Sequence, residues 1–194
     1  RETRGTLPLI AMCLMLMSGV AKTGQAADLP GIPPEVVADY LHAVIEADRT
    51  FYTIHVVERM QKQGGTPASE TWRKDKATLP LPAQFLREAS ELATLTGTSV
   101  RYRLISLWPI NPQNAPANDS ERTSLEVVRL HPERSVSSTV TIDSQPYFQA
   151  IYADHAVTQA CIACHNAHPQ RLKRDFKIND VMGGMVIEIP LHKQ

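Results

Sequence analysis

The feature that most constrains this chain is the decapeptide ACIACHNAHP at residues 160–169. Cys161 and Cys164 are separated by two residues, and His165 follows the second cysteine directly. The spacing is compatible with three kinds of site: a redox-active disulfide, a zinc site and a covalent haem anchor. Each kind of site needs a different arrangement of the surrounding chain, so the rest of the sequence is needed to separate them.

The N-terminal segment has the layout of a secretory signal. Two arginines precede an apolar run from Leu7 to about Val20, and small residues follow up to Ala27. The run is shorter than the ~20 residues that span a bilayer comfortably. We therefore predict a signal peptide or uncleaved anchor over residues 1–27, and an exported, periplasmic domain over residues 28–194.

The composition limits the possible partners. Apolar residues make up 43% of the 194 residues, and 20 basic residues balance 20 acidic residues. A neutral chain gives no reason to expect nucleic acid or an anionic membrane surface as a partner. Removal of the signal would leave Cys161 and Cys164 as the only cysteines, because Cys13 lies in the apolar run.

The hydrophobic pattern predicts an α+β domain with an antiparallel sheet flanked by helices, preceded by a long N-terminal helix. Prolines begin the long helix and glycines follow it, and Asp119 is expected to cap a short helix. The expected helices cover residues 33–63, 81–96 and 120–130, and the expected strands cover residues 99–108, 137–143, 147–153 and 183–191.

The surroundings of the cysteine motif favour the haem anchor. A thiol–disulfide oxidoreductase would place the motif in a thioredoxin-like βαβ unit, which the strands here do not form. Cys164 and His165 are adjacent, and adjacent side chains rarely converge on one zinc ion. In a c-type haem site the two thiols bind the porphyrin and the adjacent histidine ligates the iron. We predict one covalent haem c, with Cys161, Cys164 and His165 as its attachment site.

Several stretches of the chain together resemble a known family. It is the c-type haem-binding domain family with a PAS-like fold, a former domain of unknown function, found in stand-alone bacterial haemoproteins and in sensor input domains. The resemblance implies a five-stranded antiparallel sheet flanked by helices, with one haem. It rests on FYTIHVVERM (51–60), LPLPAQFLRE (79–88), YRLISLWPINPQN (102–114), CIACHN (161–166) and DFKINDVMGGMVIEIPL (175–191).

The second iron ligand has to be chosen from the side chains of this chain. On a regular helix one predicted apolar face is formed by Val37, Tyr40, Leu41, Val44, Phe51 and Tyr52. His55 falls at about the same angle as Val37, in the middle of this face, whereas His42 and Met60 point away from it. Neutral imidazole on an apolar wall is a good iron ligand, so we predict His55 on the second side of the haem, with a buried, hydrogen-bonded histidine as the alternative. The remaining candidates fit less well, because His168 is too close in sequence to His165 to reach the opposite face of the haem. We expect solvated side chains for those in or near loops and chain ends, which are His131, His155 and His192.

Other residues are candidates for contacts with the haem periphery. Arg59 lies near the helical face of His55, and Arg101 and Arg103 alternate along a predicted strand. Each of these arginines is a candidate partner of a haem propionate, with an ordinary surface ion pair as the alternative. Trp108 and Asn111 lie in a proline-rich segment that either lines the haem or forms only a structural turn.

Three functions remain open from the sequence. A haem iron with two protein ligands favours a periplasmic electron carrier that exchanges electrons with a redox partner protein. A PAS-like fold is also compatible with a redox or gas sensor that acts on a separate, membrane-bound partner. An enzyme such as a peroxidase needs an open iron site with a distal acid–base group, and no residue pattern identifies one. We rank the carrier first.

Overall fold

The structure, a computed structural model, describes residues 31–191. The predicted signal segment and His192 therefore lie outside the described residues. The helices are α1 (Pro34–Phe51), a π-helical segment (Tyr52–Glu58), α2 (Arg59–Lys62), α3 (Pro82–Thr94), a 3-10 turn (Pro112–Asn114), α4 (Asp119–Leu130) and α5 (Gln159–Ala167). The strands are β1 (Arg101–Ile105), β2 (Val136–Ile142), β3 (Gln145–His155) and β4 (Val181–Pro190).

The four strands form one antiparallel sheet in the order β1-β4-β3-β2. All four predicted strands are confirmed, and the α+β class with them. The fifth strand that the family resemblance implies is not present within residues 31–191. β4 is central and nearly all buried, so its side chains are apolar on both faces except for the buried Glu188. A Cβ atom on Gly183 would come within 2.2 Å of the Ile105 carbonyl oxygen, so glycine is needed for β1 to approach β4.

Helices cover both faces of the sheet. On one face α1 and α3 pack their buried residues Ala38, Ile45 and Leu86 against β3 and β4. On the other face α4 packs Leu125 and Val128 against β1, β3 and β4. Burial of one such leucine stabilises the fold by roughly 1.5–3 kcal/mol. The side chain of Asn118, rather than that of Asp119, caps α4 by accepting a hydrogen bond from the Glu121 backbone N–H at 2.9 Å.

The long N-terminal helix is confirmed, but its buried face differs from the predicted one. The predicted apolar face includes Tyr40, Val44 and Phe51, which are 68%, 60% and 62% exposed. The helix instead buries a neighbouring stripe of side chains, and Arg49 and Thr53 form the C-terminal part of that stripe. The Thr53 hydroxyl donates to the Arg49 carbonyl oxygen at 2.7 Å, a back-bond that bends helices, and the π-helical segment begins at this point. The wider π turn changes the phase of the helix, so a constant angular step misplaces the residues after it.

No helix within residues 31–191 is both long enough and apolar enough to span a bilayer.

Candidate cofactor-binding site

The cysteine motif lies on α5, a short helix that the sequence analysis did not predict. Residues three and four apart on a helix are neighbours on one side of it, so Cys164 and His165 both lie beside Cys161. Both cysteines are free thiols. Burial, followed by the nearby Glu70 carboxylate and Cys161, raises the pKa of the Cys164 thiol, which keeps this thiol protonated near neutral pH. The helix thus presents two thiols and one imidazole together.

This group lines a cavity of about 560 Å³. A volume of this size falls within the roughly 300–1,000 Å³ of sites that bind cofactors and small molecules. Six segments form its walls: the stretch from the end of α1 through the π-helical segment to α2, the loop at residues 68–71, the start of α3, the chain from Leu104 to Asn114, the end of β3 with the start of β4, and α5 with Gln170 after it.

His165 is positioned by an aromatic contact with Phe176, and the side chain of the neighbouring Asn166 holds the Phe176 backbone through two hydrogen bonds. Its ring meets the edge of Phe176 at 6.0 Å between centroids, and Trp108 meets the same phenyl ring at 5.7 Å. The side-chain amide of Asn166 donates to the Phe176 carbonyl oxygen at 2.9 Å and accepts from the Phe176 backbone N–H at 3.1 Å. Burial, with a smaller contribution from His168, lowers the pKa of His165. The imidazole is therefore neutral at pH 7 and has a lone pair available to a metal.

One wall of the cavity runs from α1 through the π-helical segment to α2, and we call it the α1 wall. It carries four residues spaced four apart, which are Arg49, Thr53, Val57 and Gln61. Arg49 is 4% exposed, and one of its terminal nitrogens lies 2.5 Å from Asp154 Oδ1, without the alignment of a hydrogen bond. The same guanidinium donates to both carboxylate oxygens of Glu46, at 3.0 and 3.2 Å. Burial lowers the pKa of Arg49, but the two carboxylates more than offset this effect, so a cation is fixed beside the cavity.

His155 is the other imidazole in the cavity wall among the described residues. Its Nδ1 lies 2.9 Å from the carbonyl oxygen of Asn179, so Nδ1–H donates and Nε2 keeps its lone pair. The pairing of β3 with β4 shifts register between Asp154 and His155, and such irregularities redirect a side chain at the end of a strand. Metal-binding histidines commonly donate their second ring N–H to a backbone carbonyl in this way.

Trp108 and Asn111, two of the predicted site residues, line the cavity. Trp108 is placed by Ser106, whose hydroxyl donates to the Met182 carbonyl oxygen at 2.6 Å and accepts from the Trp108 backbone N–H at 3.0 Å. The side chain of Asn111 accepts from the Gln113 backbone N–H at 3.0 Å. The structural turn is therefore present and its residues also line the cavity, while their contact with a haem stays a prediction.

Four predicted site residues lie outside this cavity. His55 is exposed, and its ring packs on Phe51 at 4.8 Å. Arg59 is exposed as well. Arg101 pairs with Asp143 at 3.5 Å at the edge of the sheet. Arg103 pairs with the buried carboxylates of Glu121 and Glu188, which helps to hold α4 on the sheet.

The other candidate ligands also lie elsewhere. His42 stacks on Tyr152 and lines another cavity beside α1, whose wall His155 also forms. His168 Nε2 lies 3.4 Å from Glu70, and His131 Nδ1 lies 3.8 Å from Glu133. Neither histidine lines the cavity of the cysteine motif, and Met60 does not line it either.

Arginine side chains do line the cavity, but they are not the predicted ones. Arg87, near the start of α3, donates to the side-chain oxygens of Gln113 at 2.9 Å and Asn114 at 3.1 Å. The sequence contains a weak signal for it, because Arg87 lies within the stretch LPLPAQFLRE of the family resemblance. Arg49 has no such signal, since it lies before the matching stretches.

The fold and the site together define an α+β protein in which an antiparallel sheet and its helices enclose a cavity bearing a CxxCH motif. The profile of the Tll0287-like family matches residues 35–190, so the chain belongs to this family. The crystal structure of the cyanobacterial heme-protein Tll0287 matches with a TM-score of 0.51 at 19% sequence identity. The match covers 84% of this chain and 99% of that one, and at this identity it shows the fold alone. No curated protein matches the chain.

Proposed function

We propose that this protein is an exported mono-haem c-type cytochrome. The observation that carries the proposal is the placement of Cys161, Cys164 and His165 together in the wall of one cofactor-sized cavity. The description of Tll0287 as a heme-protein supports it. Within residues 31–191 no three His, Cys, Asp or Glu side chains are grouped to hold a metal ion. A haem iron needs only one or two protein ligands, so this donor set is compatible with haem.

The chemistry of attachment fits the two thiols. Cys161 and Cys164 would each hold the porphyrin through a thioether at one vinyl group, with the S–H hydrogen retained on the neighbouring vinyl carbon, so that no oxidant would be needed. His165 would supply a neutral imidazole to the iron. The bound group would supply a one-electron couple between ferric and ferrous states.

For the second axial position we propose His155 in place of His55. His155 lines the cavity, and its Nδ1–H is held by the Asn179 carbonyl oxygen, which leaves Nε2 available. His55 is exposed and packs on Phe51, outside the cavity. Ligation by His55 would therefore require the π-helical segment to rearrange. The buried arginine Arg49 and the cavity-lining Arg87 are the candidate partners of the propionates.

Two imidazole ligands leave no position at the iron for a substrate, so electron transfer is the function we propose. The protein would exchange one electron with a separate redox partner in the periplasm. Two imidazoles favour ferric iron more than a histidine–methionine pair does, so the reduction potential is expected to be low.

A sensor of small gaseous ligands is the second candidate, and one observation favours it. The α1 wall presents Arg49, Thr53, Val57 and Gln61, none of which is an imidazole or a thioether. If this wall faces the iron and His155 does not bind, the sixth position stays open. A ligand bound there would be read by a separate partner protein.

The covalent attachment is tested by extraction. We expect acidified organic solvent to leave the haem on the polypeptide, and Cys161→Ala combined with Cys164→Ala to abolish covalent haem. Ala163→Ser, at an exposed position of the same helix, is the matched control and should bind as much covalent haem as the unmodified protein. Extraction of the haem from the unmodified protein would contradict the proposal, as would unchanged haem content in the double variant.

The axial ligand and the class of function are tested by absorption and electron paramagnetic resonance spectra. We expect low-spin iron in both oxidation states and poor binding of carbon monoxide. His155→Ala should convert the iron to a high-spin or water-ligated form that binds carbon monoxide readily, whereas His55→Ala should leave the spectra unchanged. Loss of the low-spin signal in His55→Ala alone would restore the original ligand prediction, and ready carbon monoxide binding by the unmodified protein would favour the sensor.

A further inference from the structure

One short turn touches both of the imidazoles that line the cofactor cavity. It covers residues 176–180, FKIND, directly before β4, and we call it the FKIND turn. The ring of Phe176, at its start, meets the ring of His165 with the two planes 88° apart. The carbonyl oxygen of Asn179, near its end, lies 2.9 Å from His155 Nδ1. Two histidines on different elements of the fold therefore contact the same five-residue segment.

The conformation of the FKIND turn is fixed by its own hydrogen bonds. The Asp180 backbone N–H donates to the Lys177 carbonyl oxygen at 3.1 Å, and the Asp180 side chain accepts from the Lys177 backbone N–H at 2.9 Å. Asn179 has a φ of 68°, in the left-handed region that asparagine adopts more readily than most residues. A left-handed residue at the third position of a four-residue turn is the pattern of a type II turn. The backbone conformation of Asn179 therefore sets where its carbonyl oxygen points.

Backbone hydrogen bonds tie the FKIND turn to the end of β3. The Asn179 N–H donates to the Ala156 carbonyl oxygen at 3.0 Å, and the Ala156 N–H donates to the Asp180 carbonyl oxygen at 2.9 Å. Ala156 is fully buried and directly follows His155. The Asn179 carbonyl oxygen is thus held in place beside the imidazole that it accepts from.

The other end of the FKIND turn is tied to α5. The side chain of Asn166, the neighbour of His165, binds both the backbone N–H and the carbonyl oxygen of Phe176. Phe176 is 4% exposed, and its ring also meets Trp108. Unlike His155, the ring of His165 has no hydrogen bond within residues 31–191. The Phe176 ring therefore takes the place of the hydrogen bond that commonly orients a metal-binding histidine.

We infer that the FKIND turn positions both axial imidazoles, with Asn179 orienting His155 through its carbonyl oxygen and Phe176 orienting His165 through its ring. The inference rests on the proposed function, because it takes these two histidines as the residues that would bind the iron. Asn179 and Phe176 are positioning residues, since each acts through a histidine. Outer partners of this kind fix the ring of a metal-binding histidine, and their loss typically weakens ligation about 10–100-fold.

The shared turn suits a one-electron carrier. Groups that are held in place in advance need not move when the charge at a site changes. Two imidazoles oriented by one hydrogen-bonded turn should therefore keep the same arrangement around ferric and ferrous iron. A change in the turn should in consequence be visible in the spectra of the iron even where the protein stays folded.

Variants of Asn179 test the orientation of His155 in the purified holoprotein. Asn179→Val should distort the turn, because a β-branched residue seldom adopts a positive φ, whereas Asn179→Gly should preserve it. We expect Asn179→Val to lose most of the low-spin electron paramagnetic resonance signal and to bind carbon monoxide about 10–100-fold more tightly. Asn179→Gly should behave like the unmodified protein, and both variants should keep the full amount of covalent haem.

Ser144 provides the matched control for strain in a turn. It has a φ of 66° between β2 and β3, and it does not line the cofactor cavity. Ser144→Val should lower stability in urea denaturation about as much as Asn179→Val does, but it should leave the spectra unchanged. An equal spectral change in Ser144→Val would show that Asn179 acts only through the stability of the fold, which would overturn its positioning role.

Phe176→Leu tests the orientation of His165. Leucine keeps an apolar side chain at this position but removes the aromatic ring, so the imidazole should stay bound and become free to rotate. We expect the iron to remain low-spin, with a paramagnetic resonance signal that is shifted and broadened. Phe148→Leu, at a 6% exposed position of the core between the sheet and α1, is the control and should leave the signal unchanged.

The outcomes separate this inference from the proposed function. If His155→Ala loses the low-spin signal but Asn179→Val keeps it, the proposed ligand stands and the positioning role of Asn179 is overturned. If neither variant changes the spectra, the ligand assignment and the role of Asn179 fail together. An unchanged signal in Phe176→Leu, or the same change in Phe148→Leu, overturns the role of Phe176.

Discussion

At the scale of the residue, the local environment gives the histidines of this chain different properties. His42 is half-buried, and its ring stacks on Tyr152 at 4.0 Å with planes 7° apart. The Tyr152 hydroxyl donates to Asp39 at 2.8 Å, and His42 Nε2 has no hydrogen-bond partner among the described residues. Burial lowers the pKa of His42 although Glu46 and Asp39 act to raise it. The folded protein therefore favours the neutral ring.

This lowered pKa predicts a pH dependence of stability. The unfolded chain binds a proton at His42 near pH 6.5, while the folded chain binds it only at lower pH. The free energy of unfolding should therefore fall as the pH is lowered from 7 through 6.5, by at most about 1.4 kcal/mol per pH unit for this one group. His42→Phe keeps a ring on Tyr152 but cannot titrate, so it should flatten the dependence in urea denaturation between pH 7 and 5.

The control for this prediction is an exposed histidine. The His131 side chain is 60% exposed, so His131→Gln should leave the pH dependence as it is in the unmodified protein. An equal slope for the unmodified protein and His42→Phe would show that His42 does not contribute.

At the scale of the element, α1 is joined to the sheet by a buried charge pair as well as by apolar contacts. Arg49 on α1 lies against Asp154 at the end of β3, and the two side chains are 4% and 13% exposed. Taking a charge out of water is costly, so removal of one partner leaves the other uncompensated. Glu46 also binds Arg49, so the arginine would retain a partner if Asp154 were replaced.

The pair predicts unequal effects of its two single replacements. Arg49→Met should lower the free energy of unfolding by about 3–5 kcal/mol, because Asp154 loses its counter-charge. Asp154→Leu should cost less, because Arg49 keeps Glu46. The double variant should be more stable than the sum of the two singles predicts. Urea denaturation of the three variants measures these differences.

An exposed pair provides the comparison. Arg129 donates to Glu126 at 2.9 and 3.0 Å, and its side chain is 38% exposed. Arg129→Met should therefore change stability by about 1 kcal/mol or less. A similar cost at both arginines would mean that the Arg49 pair is not the anchor of α1.

At the scale of the whole molecule, the cofactor cavity depends on the topology of the sheet. The strand order β1-β4-β3-β2 places the last strand of the chain at the centre. The end of β3 and the start of β4 then meet α5 beside the start of α3 and the end of α1. Residues as far apart in sequence as Arg49, Trp108 and Met182 line one space, so the cavity exists only when the whole domain has folded.

The four strands, the extent of the long helix and the CxxCH motif can all be predicted from the sequence alone. These features depend on the periodicity of apolar residues and on the chemistry of residues that are neighbours in sequence, so the sequence alone contains the information needed to predict them. The sequence pattern does not predict α5, because its nine residues show little separation of apolar and polar side chains between opposite faces of the helix.

The buried face of α1 and the set of side chains that reach the cavity depend on tertiary contacts, which the sequence pattern does not contain. The helix has two apolar stripes side by side, and periodicity cannot say which of them meets the sheet. His55 continues the exposed side of α1 that Val44 and Phe51 also occupy, whereas Thr53 and Val57 of the π-helical segment face the cavity. His155 reaches the cavity because the pairing of β3 with β4 changes register beside it, and that pairing joins residues distant in sequence.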